Sequence, residues 1–117
     1  MNLSIEEKER LIDTLSNTKR KAQKAIIRLL FQGKESEADQ LKLKTKVLSE
    51  QIDALLGQSM DEWIDQSTSS LSDVKKINTN VQSAITKIEK KENVVKMAVK
   101  VSNYIDDAIK ISKKLIK

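Results

Sequence analysis

Not one proline occurs in the 117 residues of this chain, and glycine occurs only at Gly33 and Gly57. These two residue types interrupt regular backbone most strongly, so a chain nearly free of them reads as long helices with few places to turn. With 38% hydrophobic, 33% charged and 3% aromatic residues, it has the balance of a helical bundle and is too apolar for intrinsic disorder. Its length suits one domain, residues 1–117, able to bury a modest core without disulfides or metal.

The two glycines divide the first half of the chain. Gly33 is followed by Ser36-Glu37-Ala38-Asp39, and Gly57 by Ser59-Met60-Asp61-Glu62. In each case glycine suits the left-handed residue just past a helix end, and the serine can cap the next helix in a capping box. Ser4-Ile5-Glu6-Glu7 has the same pattern at the first helix start. Apolar residues at three- and four-residue spacing then define helices over about 4–32 and 36–56. The first stripe runs Ile5, Leu11/Ile12, Leu15, Ala22, Ala25/Ile26 and Leu29/Leu30, with a gap at Thr18 and Lys19. The second is Ala38, Leu41, Thr45, Leu48, Ile52 and Leu55, a coiled-coil seam with one polar step.

From Ser59 to Lys117 there is no glycine. As a single helix this stretch would be about 85–90 Å long, roughly twice its partners, leaving half its stripe uncovered in a monomer. A break near Lys91-Glu92-Asn93 predicts instead helices over about 59–91 and 94–116. The expected fold is therefore all-α: an antiparallel helical bundle of four helices. The alternative is three helices, with a long C-terminal one that dimerises. Two local readings compete. Helix two could continue through Gly57 to about Gln66, with Gln66-Ser67-Thr68-Ser69-Ser70 as a loop. Residues 95–101 alternate apolar and polar like a strand, but no second strand is on offer to pair with them.

The chain also lacks histidine and cysteine, removing the commonest general base, the best nucleophile and the usual transition-metal ligands. Asp61 and Asp65 share a face at i, i+4, but their place suits a helix N-terminus better than an acid–base pair. Asp106 and Asp107 are adjacent and point about 100° apart. No calcium loop or glycine-rich phosphate loop is legible. The expectation is a protein that is not an enzyme, with no catalytic residues, no metal and no cofactor.

What remains is surface. Basic minus acidic side chains come to +3 over residues 1–33, −5 over 34–74 and +7 over 75–117, for a net charge of +5. Part of this reads as an acidic middle packed beside basic helices. Two basic groups stand out: Arg20, Lys24 and Arg28 at i, i+4, i+8, and Lys110, Lys113, Lys114 and Lys117 at the C-terminal end. Residues 94–117 form a cationic amphipathic helix that could lie on an anionic membrane. Nucleic acid is disfavoured by the lack of stacking aromatics and of a legible DNA-reading motif. Trp63, the one tryptophan, reads as a core anchor or a contact residue. Leu43 and Val47 lie off the Leu41–Leu48–Leu55 seam and widen the apolar side of helix two, either for a core that needs a broad stripe or as a second face for a homodimer or a partner helix. The function expected is protein–protein interaction, as an adaptor, assembly factor or inhibitor. The alternative is peripheral binding to an anionic surface through the C-terminal lysines. The acidic N-terminal segment and the absence of cysteine point to the cytoplasm.

Overall fold

The computed structural model describes residues 3–64 and 69–116. Among them are four α-helices: α1 (Ile5–Phe31), α2 (Glu35–Gly57), α3 (Ser70–Glu89) and α4 (Val94–Leu115), with a 3₁₀ turn at Met60–Glu62. They pack as a four-helix bundle about 44 Å long. The expected break is present: the chain reverses between Glu89 and Val94, so the long C-terminal rod does not form.

Two tight reversals build two antiparallel hairpins, and the same hydrogen-bond pattern closes both. After α1, Lys34 N–H donates to Leu29 C=O (2.9 Å) and Gly33 N–H to Leu30 C=O (3.1 Å), with Gly33 at φ 72°. After α3, Glu92 N–H donates to Lys87 C=O (2.9 Å) and Lys91 N–H to Ile88 C=O (3.0 Å). This is a Schellman closure, which needs a left-handed residue at its pivot. In the second turn that pivot is Lys91, at φ 61°, and Asn93 follows at φ 48°.

The hairpins lie side by side. α1 packs against α2 and α3, α4 packs against α2 and α3, and α1–α4 and α2–α3 face each other across the diagonals. Asn78 sits beside Thr14–Lys21 and Glu89 beside Lys24 and Arg28, so neighbouring α1 and α3 run in the same direction. The connection from α2 to α3 crosses one end of the bundle along a diagonal of about 11–14 Å, given helix spacings of about 8–10 Å. Trp63 pins this crossing. Its indole is buried at 5% exposure, its Nε1–H donates to Leu55 C=O (3.3 Å), and Lys8 Nζ lies 5.8 Å from the ring centroid while donating to Met60 C=O. Ile64 N–H donates to Leu115 C=O, tying the same segment to the end of α4.

Several boundaries differ from the expectation. Ser4 does make its capping box with Glu7, and Leu3, rather than the exposed Ile5, enters the core. Ser36, however, caps nothing. Lys34 N–H is already held by the closure of α1, so the chain re-enters helix at Glu35 with Ser36 inside the first turn. Gly57 is the last residue of α2 and has no positive φ. No helix starts at Ser59: the 3₁₀ turn ends at Trp63, whose extended backbone turns the indole inward. Helix three begins at Ser70 instead. The loop expected over 66–70 falls largely outside the described residues.

The polar step in each stripe is satisfied locally. Thr18, Thr45 and Ser112 are buried, and each hydroxyl donates to the carbonyl four residues earlier in its own helix. Thr18 also accepts from Asn78 Nδ2 at 2.9 Å. The apparent gap in the α1 stripe is thus where α3 registers against it.

Candidate functional site

Once the core is filled, the informative apolar residues are those left outside it. Leu43 is 69% exposed, Val47 37%, Val95 46% and Val99 49%. On α2, Leu43 and Val47 are one turn apart, and so are Val95 and Val99 on α4. Leu43 and Val99 line one shallow cleft between these helices, with Gln40, Lys44, Ser102, Asn103 and Asp106. At its centre Lys44 Nζ donates to both carboxylate oxygens of Asp106, at 2.8 and 2.9 Å. That pair neutralises itself and leaves the α2–α4 face apolar at one end.

The strand-like alternation at 95–101 has its explanation here. Met97 and Val101 point into the core while Val95 and Val99 point out of it, so α4 carries apolar residues on two sides in this stretch. The alternation over 95–101 is the sequence signal for Val95 and Val99.

The basic residues distribute differently from the sequence reading. Lys24 and Arg28 both reach Glu89 on α3, at 3.8 and 3.3 Å, and Lys21 Nζ donates to Asn78 Oδ1 at 2.6 Å; Arg20 stays exposed. The stripe on α1 is therefore partly a tie between hairpins. These exposed pairs lie between neighbouring helices and contribute little stability, typically ~0.2–1 kcal/mol. They join α1 to α3 and α2 to α4; the expected pairing of an acidic α2 with basic α1 and α4 is not what they use.

At the C-terminal end, Lys110, Lys113 and Lys114 are exposed on the outer side of α4, and Lys117 lies outside the described residues. Between α3 and α4, Lys87 and Lys100 flank a small cleft with Asn80, Ser83 and Tyr104. Val101, Ile105, Ile109 and Leu115, the apolar side opposite the lysines, are buried in the core. In the folded bundle that side does not face outward toward a bilayer. No helix among the described residues is long and apolar enough to cross a membrane.

Trp63 is a core residue at the end of the bundle, not part of an outer face. Among the described residues, Glu7 has a displaced titration. The Ser4 backbone N–H donating to its carboxylate, and then the Ser4 side chain, hold it below the usual glutamate range. Among the described residues, no three Asp or Glu side chains gather as a metal site would need. The chain matches no known protein family, no curated protein and no solved structure.

Proposed function

We propose that this protein is a non-catalytic helical-bundle module that works by protein–protein contact, with the α2–α4 face as its docking surface. The observation that carries the reading is the exposure of Leu43, Val47, Val95 and Val99 on a bundle whose core is already filled by other residues of the same helices. A second apolar face on two neighbouring helices adds nothing to the monomer's own packing, and such faces mark interaction sites. Docking would follow the helix-face mode, in which side chains one turn apart anchor a partner. An adaptor, an assembly factor or an inhibitor would all use it. The cysteine-free composition suits a reducing cytoplasm.

The test is photo-crosslinking in the source cells, with a photoreactive residue at position 43 or 99 and, as controls, at 76 or 100. Discrete protein adducts from 43 and 99 are expected, with none from the controls. Adducts from the controls alone would refute the assignment of the face.

The alternative is attachment to an anionic surface through the lysines of residues 87–117, favoured by Lys87 and Lys100 flanking one cleft. With the apolar side of α4 in the core, it would be electrostatic only. Retention on acidic vesicles would then vanish by about 0.5 M salt, where screening shortens to a few ångströms.

A further inference from the structure

We infer that the occupant of the α2–α4 face is a second copy of this chain, set side by side and pointing the same way, with α2 of each copy against α4 of the other. This rests on the reading of that face as the docking surface and adds the partner and the geometry.

Charge selects the face. A protein with net charge +5 repels its own copies wherever uncompensated cations line the contact. The α1–α2 cleft carries Lys42 and Lys46, and the α3–α4 cleft carries Lys87 and Lys100. The α2–α4 cleft has only Lys44 and Asp106, which cancel each other. It alone of the three combines exposed aliphatic residues with a balanced charge, as a self-complementary contact requires.

The pattern along the helices then selects the orientation. Leu43, Val47 and Glu50 follow one another on the outer side of α2 at i, i+4, i+7, and Val95, Val99, Asp106 and Lys110 on α4 at i, i+4, i+11, i+15. Glu50 lies about 9 Å beyond Lys44 along α2, and Lys110 about 6 Å beyond Asp106 along α4, which runs the same way. The acid and the base are therefore at nearly one height, and both are exposed. A two-fold axis along the bundle sets α2 of each copy against α4 of the other and places Glu50 opposite Lys110 of the second copy, with Leu43 and Val99 of the second copy on the same seam about 9 Å apart in height. An axis across the bundle would instead set valines against lysines. A side of the rod 44 Å long and 16–21 Å broad offers on the order of 800 Å² per copy, the size of a standard specific interface.

The test is absolute molar mass by light scattering and sedimentation, on the full chain from about 1 µM to 1 mM. The mass should rise from 13.3 kDa towards twice that value. Leu43→Glu and Val99→Glu, each at an exposed position, should keep the helical circular dichroism and remain monomeric throughout. Glu50→Lys and Lys110→Glu should each weaken the dimer at least several-fold, and the double exchange should restore it. A wild-type chain that stays monomeric at 1 mM overturns the inference. So does a dimer indifferent to Leu43→Glu and Val99→Glu, or one that the double exchange does not rescue. The two readings separate through the crosslinking above. Adducts of 43 and 99 with a different protein, beside a monomeric wild type, would retain the docking face and discard the second copy.

Discussion

Replacing Lys91 by glycine should make this protein more stable, although the change removes a side chain and adds no contact. Lys91 holds φ 61° at the pivot of the α3–α4 closure, where the α1–α2 closure uses Gly33 at φ 72°. A left-handed conformation costs an L-residue about 1–2 kcal/mol. Glycine lifts that cost but gives the unfolded chain more freedom, which takes back about 0.4–1 kcal/mol. The net gain expected for Lys91→Gly is about 0.5–1 kcal/mol, or about 2–4 °C in Tm for a domain of this length. Gly33→Ala is the converse and should lose about 1 kcal/mol: an added Cβ meets no atom within 4 Å there, so the penalty comes from the backbone alone. Gly57→Ala is the control. It has equal space but no positive φ, and it should gain up to about 1 kcal/mol from helix propensity. Urea unfolding followed by circular dichroism at 222 nm measures all three, and unchanged m-values would show that the midpoint shifts are shifts in stability. If Lys91→Gly is neutral or destabilising while Gly33→Ala is tolerated, the shared closure is not what turns the two hairpins.

Three further outcomes can be checked. Trp63→Ala should cost about 3–5 kcal/mol, and Trp63→Phe less, because the indole fills the end of the bundle and holds the diagonal crossing; thermal melts of the two variants measure the difference. Ser4→Ala should cost about 1 kcal/mol through loss of the cap, read as faster amide exchange in the first turn of α1. Glu7 titrates lower in the folded state than unfolded, so its contribution is complete above the ordinary glutamate value of about 4.3 and is lost as pH falls through the lowered folded value. The acid limb of the stability curve should therefore be shallower in Ser4→Ala than in wild type.

The local vocabulary of this protein is written in its residues. The absence of proline, the capping box at Ser4 and Glu7, the left-handed turn at Gly33 and the spacing of Leu41, Leu48 and Leu55 depend on neighbours within a few positions. Such features can be read one helix at a time. What the residues alone did not decide was which helix lies beside which. The same apolar stripes are compatible with bundles that set α3 next to α2 or next to α1. The choice came from groups far apart in the chain: Asn78 meeting Thr18, Glu89 meeting Arg28, Lys44 meeting Asp106, and Trp63 folding under the end of α2. The candidate site follows the same division. Leu43 and Val47 are legible from α2 alone because they fall off its seam. Val95 and Val99 become part of a face only when α4 is set beside α2, since a helix with two apolar sides does not itself say which one the core will take.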